Sequence, residues 1–171
     1  MADTNFPRLA AVLEEYAAAF RNLYQDKLIL EDRIATGELL NSVSYRVQEN
    51  GTVFEVTLSL AEYWKYIENG RPQGSRMPPP SAILEWIRAK PVLPRPSDKG
   101  KVPRPEQLAW AIAKGIKKRT DVGPIPGDET MAKTAQELNA KYRPIIAQAF
   151  AEDTMALLKL SAISGPESFR R

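Results

Sequence analysis

Apolar residues near the start of the chain recur at alternating steps of three and four positions. This spacing places them on one side of a helix and leaves charged and amide side chains on the other. Pro7 suits the first turn of such a helix, where its missing N–H has no partner in any case. The pattern predicts a long first helix over about residues 6–32, with an apolar stripe formed by Phe6, Leu9, Leu13, Tyr16, Phe20 and Leu23. Beyond Gln25 the apolar cluster at 28–30 breaks the stripe, so the spacing is compatible both with a continuous helix and with a kink there.

Apolar and polar residues then alternate strictly on both sides of Asn50-Gly51, a dipeptide typical of two-residue hairpin turns. A turn at these two positions would place Arg46 opposite Glu55 on a polar face. The other face would be wholly apolar, and we expect it to be the core, covered by the first helix. Its predicted cross-strand pairs are Val43–Leu58, Tyr45–Val56 and Val47–Phe54.

Proline divides the rest of the chain into short elements. Gly70 is expected to end a short helix in a left-handed conformation, and Pro144 is expected to kink or restart the last helix. The apolar spacing predicts helices over about 61–69, 81–90, 105–119 and 128–160, joined by proline-rich connections at 71–80 and 90–105. In the third of these helices the residues expected to face inward are Leu108, Ala111, Ile112 and Ile116.

These elements predict an α+β fold with a long N-terminal helix packed on an antiparallel hairpin-based sheet, followed by several C-terminal helices. The length of 171 residues suits a single domain over residues 1–171. Within it we expect a helix-plus-hairpin core at 6–70, proline-rich loops around a short helix at 71–105, C-terminal helices at 106–160 and a frayed or partner-bound tail at 161–171.

The composition narrows the chemistry. The chain contains no Cys and no His, which removes the thiolate, the commonest general base and the commonest metal ligand. Its acidic residues are scattered, and no pair has the spacing of a carboxylate dyad or a cation loop. We therefore expect no enzyme, no metal site and no cofactor. The polar start and the lack of a long apolar run predict a soluble protein, intracellular during its synthesis, without a signal peptide or a membrane span.

Two segments flank the hairpin in a recognisable order. The first, Ala35–Val43, contains Thr-Gly-Glu-Leu-Leu-Asn-Ser, and the second, Tyr63–Gly70, reads Tyr-Trp-Lys-Tyr-Ile-Glu-Asn-Gly. They resemble the Thr-Gly-x-Leu-x-x-Ser and Tyr…Tyr-Val-Glu-x-Gly segments of the bacteriophage tail-completion proteins, also described as head–tail joining or minor tail proteins. The resemblance covers about residues 6–71. The remainder is similar to a variant of that family, and the family's usual short C-terminal motif is absent.

The resemblance implies a structural virion protein at the head–tail junction, made in the cytoplasm of the host bacterium. Its partners would be further copies of itself in a ring, together with the neighbouring neck, portal-adaptor and tail-tube proteins. Non-specific contact with passing DNA would accompany this role, and a membrane would not.

Large side chains beside the second segment are candidates for such an interface, because aromatic residues give wide contact area at low entropy cost. By helical spacing Tyr66 and Ile67 would close the core over the hairpin, whereas Trp64 would point away. The interface candidates are Trp64, Tyr63, Arg71, Met77 and Arg95.

A basic cluster ends the third predicted helix. Cations favour a helix C-terminus and keep a surface soluble, and no aromatic platform or base-reading motif accompanies the cluster. Contact with DNA phosphates or with an acidic neighbouring subunit is the functional alternative. Together with the loop 99–104 it keeps open a different function, that of a small nucleic-acid-binding accessory protein. The cluster consists of Lys114, Lys117, Lys118 and Arg119.

Overall fold

The computed structural model describes residues 6–32, 36–50, 53–90, 92, 94, 100 and 102–163, and for residues 161–163 the backbone alone. The fold is α+β and mostly helical, as predicted: a long N-terminal helix, a two-stranded antiparallel sheet and several C-terminal helices. The elements are α1 (Pro7–Leu30), α2 (Glu38–Ser42), β1 (Ser44–Asn50), β2 (Val53–Ser59), α3 (Trp64–Glu68), α4 (Pro80–Ala89), α5 (Pro105–Val122) and α6 (Thr130–Ile163).

The chain divides into two compact units, each assembled from segments that are distant in sequence. The helix–hairpin unit comprises Met1–Gln25, Val43–Ser59 and Ala132–Arg171. The motif unit comprises Asp26–Ser42 and Leu60–Met131, and it contains almost all of the two segments that carry the family resemblance. The predicted single domain over residues 1–171 stays a prediction.

In the helix–hairpin unit, α1 and α6 run antiparallel. The ring of Tyr16 meets that of Tyr142 edge-on at 5.6 Å, and the Tyr16 hydroxyl donates to Asn139 Oδ1 at 2.9 Å. Near the start of α1, the backbone N–H of Leu9 donates to the buried carboxylate of Asp153 at 2.9 Å. Asp153 thus satisfies one of the N–H groups that every helix leaves open at its first turn.

The predicted stripe of α1 is confirmed at Leu9 and Phe20, both of which are buried. The buried set also includes Ala17, which is small, and Tyr24, which follows Phe20 by one helical turn. The helix continues past Gln25 to Leu30, and Leu28 is buried. The buried face of α1 therefore includes the small residue Ala17 and the aromatic residue Tyr24, neither of which belonged to the predicted stripe.

Pro144 does not start a new helix. Helix α6 is assigned continuously from Thr130 to Ile163, with Pro144 inside it. Leu138, Tyr142 and Ala149 are buried before and after the proline. We infer that burial along one face offsets the single hydrogen bond that proline removes.

The hairpin register differs from the prediction by two residues. Asn50 pairs with Val53, and the predicted turn residue Gly51 lies outside the described residues together with Thr52. A shift of two leaves every side chain on its own face, and the alternation alone does not distinguish the two registers. The predicted pairs Val47–Phe54, Tyr45–Val56, Val43–Leu58 and Arg46–Glu55 are wrong, and the observed pairs are Val47–Val56, Tyr45–Leu58, Glu49–Phe54, Arg46–Thr57 and Gln48–Glu55.

The hairpin covers the core and does not form its centre. Phe54 meets Phe6 edge-on at 5.9 Å, and the guanidinium of Arg21 lies 5.6 Å from the ring of Tyr45, so the sheet lies along α1 as expected. Glu49 lies on the face expected to be wholly apolar. Val43 is buried but precedes β1, whereas the other predicted core residues, Tyr45, Val47, Phe54, Val56 and Leu58, are half-buried.

In the motif unit, α4 packs against α5. Helix α5 buries Ala109, Ala113 and Thr120, which recur at helical spacing. Ala111 was expected to face inward and is exposed, because the small residues Ala109 and Ala113 face the core instead. The predicted helices at 61–69, 81–90 and 105–119 are confirmed as α3, α4 and α5. Of the predicted 90–105 connection, residues 91, 93, 95–99 and 101 lie outside the described residues, as do residues 164–171 of the predicted tail.

Candidate interaction surface

The two segments that carry the family resemblance contact each other in the motif unit. The backbone N–H of Leu39 donates to the hydroxyl of Tyr63 at 2.6 Å. The hydroxyl of Ser42 accepts from the backbone N–H of Ala61 at 2.9 Å and donates to the carbonyl of Leu39 at 2.9 Å. Ser42 is therefore the last residue of α2 and precedes β1.

The remaining residues of the first segment shape the start of α2. Thr36 accepts a hydrogen bond from the N–H of Glu38 at 3.3 Å, as expected of a capping hydroxyl. Gly37 has φ +78°, a conformation that side chains rarely adopt. Leu39 is buried. Each signature residue of this segment thus has a structural role within the motif unit.

The second segment ends in a close approach between two backbones. Gly70 has φ +68°, which confirms its predicted left-handed conformation. A Cβ atom on Gly70 would lie 2.0 Å from the carbonyl oxygen of Ile125, and one on Gly127 would lie 2.0 Å from that of Glu68. Arg71 and Ile125 exchange both backbone hydrogen bonds, at 2.8 and 2.9 Å. Only glycine permits this contact at residues 70 and 127.

Glu68 of the second segment also caps the start of the last helix. Its carboxylate accepts a hydrogen bond from the backbone N–H of Met131 at 2.8 Å. An anion at this position is favoured by the partial positive charge of a helix N-terminus. The acidic residue of the motif is therefore a capping group for α6.

The aromatic residues of α3 are placed differently from the prediction. Tyr66 was expected to close the core but is 57% exposed, whereas Trp64 was expected to point outward and is half-buried. The guanidinium of Arg71 lies 4.8 Å from the ring centre of Tyr66, and its Nη2 donates to the carbonyl of Arg76 at 2.9 Å. Tyr66 therefore replaces Trp64 as the aromatic residue available to a partner.

The other interface candidates fall into three groups. Tyr63 is committed internally through its hydroxyl, although part of its ring is exposed. Met77 is exposed in the proline-rich segment, as an interface residue must be. Arg95 lies outside the described residues. Burial raises the pKa of the Tyr63 hydroxyl above its ordinary value, and the nearby carboxylate of Glu38 raises it further. The hydrogen bonds with Leu39 and Thr36 act in the opposite direction and lower this pKa.

The basic cluster on α5 separates into residues with and without acidic partners. Lys117 forms an ion pair with Asp121 one turn later. Lys114 lies 5.1 Å from the ring centre of Trp110, which is 52% exposed. Trp110 was not recognised from the sequence as an aromatic neighbour of this cluster. Its position four residues before Lys114 was the signal that would have revealed it.

Charge is strongly segregated along the chain around this cluster. Residues 71–119 contain 12 Lys and Arg but only 3 Asp and Glu, whereas the whole chain has 24 and 21. One of the three acidic residues, Glu106, places its Oε1 atom 3.9 Å from Nη2 of Arg88. The modest net charge of +3 therefore hides a strongly basic segment, which a count over windows of the sequence reveals.

In the described part of the chain, no group of three or more acidic side chains is arranged to hold a metal ion. Within the same residues, no helix combines the length and apolar character needed to cross a bilayer.

No family model matches this chain, and comparisons with known proteins by sequence and with solved structures give no match.

Proposed function

We propose that this chain is a non-enzymatic structural subunit of a tailed-bacteriophage or prophage virion, which joins or completes the tail at the head–tail neck. The proposal begins from the resemblance of residues 6–71 to the tail-completion proteins. Its partners are then further copies of the chain and the adjoining neck, portal-adaptor and tail-tube proteins, and its location is the virion.

One observation supports the proposal more than any other. The two segments of the resemblance lie on opposite sides of the hairpin in sequence, yet they meet through Leu39 and Tyr63 and through Ser42 and Ala61. The pairing of β1 with β2 already brings the two segments side by side, but both contacts use a signature side chain, the hydroxyl of Tyr63 in one and that of Ser42 in the other. The contact indicates that the two segments form one structural motif, whose signature residues are explained together.

A ring subunit needs two different patches, because a repeated heterologous contact joins one surface of a copy to another surface of the next. The exposed Tyr66 ring lies against the guanidinium of Arg71, which bonds the carbonyl of Arg76 beside the exposed Met77, so Tyr66 and Met77 are a candidate for one of the two patches. The prolines between Arg71 and Pro80 restrict the backbone before assembly, so docking this loop loses little conformational entropy.

Deleting the gene from the phage or prophage genome tests the role directly. Electron microscopy of the resulting lysate should show filled heads and unjoined tails, or tails with abnormal ends, and the intact gene supplied in trans should restore joined particles. Normal infectious particles assembled without the protein would eliminate this function.

A pair of exposed aromatic residues tests the patch. Tyr66→Ala should reduce joined particles while costing the isolated subunit only about 1 kcal/mol, since the Tyr66 ring is 57% exposed. Phe150→Ala is the matched control: Phe150 is 50% exposed in the helix–hairpin unit and stacks on Phe6 with the ring centres 5.6 Å apart. Equal loss of joining in both variants would remove the patch from the proposal.

The alternative, a small nucleic-acid-binding accessory protein, is favoured by one observation, the exposed Trp110 beside Lys114. DNA binding with a steep salt dependence, together with normal particle assembly in the deletion strain, would place this function first.

A further inference from the structure

The outer face of α5 presents a short stripe that the proposed ring contact does not use. Trp110, Lys114 and Lys118 follow one another at intervals of four residues, so they lie along one side of the helix. This side is turned away from the buried residues Ala109, Ala113 and Thr120. All three stripe residues are exposed, and within the described chain neither lysine has an ion-pair partner.

The surface beside this stripe has low relief. Ala111 and Gly115 are exposed next to it, and a Cβ atom on Gly115 would meet nothing within 4 Å. A glycine inside a helix costs about 1 kcal/mol relative to alanine. Packing within the described chain does not account for it here, and an open backbone at this position allows a ligand to approach the helix closely.

We propose that this stripe binds single-stranded nucleic acid, with Lys114 and Lys118 contacting phosphates and Trp110 stacking on an unpaired base. Surfaces that bind single strands without sequence preference combine positive charge with aromatic platforms in this way. Helix α5 itself carries four basic residues, Lys114, Lys117, Lys118 and Arg119, against the two acidic residues Glu106 and Asp121, so its net charge favours an anionic ligand.

An acidic protein is a less suitable partner than a nucleotide strand. Its carboxylates would pair with Lys114 and Lys118, but they would not stack on the Trp110 ring. The Lys114 ammonium lies over the Trp110 ring, so the charge and the aromatic platform are already close together before any ligand arrives, and a base can stack on the part of the ring that stays exposed. A nucleotide strand needs both, one for its phosphate and one for its base.

Fluorescence anisotropy of the full chain with a labelled oligothymidylate of about 20 nucleotides tests the proposal. Trp110→Ala should weaken binding about tenfold, the size of one lost stacking contact. Lys114→Gln/Lys118→Gln should lower the slope of log affinity against log salt by about 1.4, because each phosphate contact contributes about 0.7 for a single strand. Lys65→Gln/Lys159→Gln removes two exposed lysines elsewhere and should leave binding within about twofold.

Thermal melting of each variant separates lost binding from lost folding, and all three should melt close to the parent because the altered side chains are exposed. Three outcomes would overturn the proposal. The parent chain could fail to bind the oligonucleotide at low salt. Polyglutamate could bind as tightly as the oligonucleotide, with equal loss in the Lys114/Lys118 variant and none in Trp110→Ala. Sedimentation could show self-association that the lysine changes abolish, which would identify a second copy as the occupant.

Discussion

The two units of this protein are stabilised in different ways. In the helix–hairpin unit the buried residues are side chains of long helices, among them Phe20, Tyr142 and Ala149. In the motif unit the decisive contacts involve the backbone: Gly70 against Gly127, and Leu39 bonded to a tyrosine hydroxyl. One unit depends on apolar burial repeated along a helix, and the other on single residues for which no substitute fits.

This difference determines how each unit should respond to mutation. Apolar burial is spread over many contacts, so its loss scales with the area and volume removed. The cost of a side chain at Gly70 does not scale in this way. Even the Cβ atom of alanine would lie 2.0 Å from the carbonyl oxygen of Ile125, so the smallest side chain already collides with the backbone. The motif unit should therefore be more sensitive to a single methyl group than the helix–hairpin unit is to most deletions.

The largest effect is expected for Gly70→Ala, which combines a steric clash with a left-handed backbone. We expect a loss of more than about 4 kcal/mol in the free energy of unfolding. Gly74 has φ +76° with nothing within 4 Å of its Cβ position, so Gly74→Ala carries only the backbone strain, about 1–2 kcal/mol. Gly127→Ala carries only the clash and should fall between them. Equal losses for Gly70→Ala and Gly74→Ala in denaturant titrations would refute the close approach.

The next effect tests burial in the helix–hairpin unit. Phe20 is 4% exposed, and Phe20→Ala should cost about 3–5 kcal/mol through lost burial and the cavity left behind. Phe150→Ala removes the same ring from an exposed site and should cost about 1 kcal/mol. Chemical denaturation of both variants measures the difference, and similar costs would contradict the assigned core.

A disulfide introduced into a chain without cysteine tests the hairpin register. Gln48 and Glu55 lie opposite each other, so the double variant Gln48→Cys/Glu55→Cys should form a disulfide under mild oxidation and gain about 2 kcal/mol. Arg46→Cys/Glu55→Cys joins the pair of the predicted register, whose Cα atoms are about 7–8 Å apart on the diagonal, and should not close. Mass spectrometry with and without reductant distinguishes the two; closure of the second pair alone would restore the predicted register.

The smallest effect concerns alkaline pH and uses one tyrosine from each unit. Burial raises the pKa of Tyr16 and of Tyr63 above the ordinary value of 10.0, so the folded state holds each phenolic proton more tightly than the unfolded state does. This contribution is complete below about pH 10 and is lost as pH rises through the raised pKa.

Tyr16→Phe should therefore reduce the fall in melting temperature between about pH 9 and about pH 11. Tyr63→Phe should reduce it less, because the hydrogen bonds that Tyr63 accepts oppose the effect of burial. Removing Tyr16 also removes its bond to Asn139, so the comparison is made between slopes against pH rather than absolute melting temperatures. An identical slope in the parent and both variants would contradict the assigned pKa directions.

Local patterns in the sequence determined the elements of this fold. The recurrence of Leu9 and Phe20 on one helical face predicted α1, and alternation predicted a hairpin whose apolar face carries Tyr45, Val47 and Val56, with Glu49 as the exception. Proline and Gly70 marked where helices begin and end. These features are local, because helix period, strand period and turn chemistry involve residues a few positions apart.

Part of the candidate interaction surface was also accessible from the sequence. The two segments Ala35–Val43 and Tyr63–Gly70 were recognised, and the lysines of α5 were identified. The neighbouring Trp110 and the basic excess of residues 71–119 are equally readable in the sequence, the first from its spacing of four residues to Lys114 and the second from the charge count over that segment.

The tertiary structure alone decided the rest. Helix α3 has only five residues, so its spacing did not decide which side is covered, and the folded chain buried Trp64 more than Tyr66. The alternation of the hairpin permits two registers with identical faces, and the pairing of Asn50 with Val53 selected one. Glycines 70 and 127 are 57 positions apart, and no periodicity links them. Whether a side chain is buried, and whether a glycine is required, depends on which distant segment lies against it.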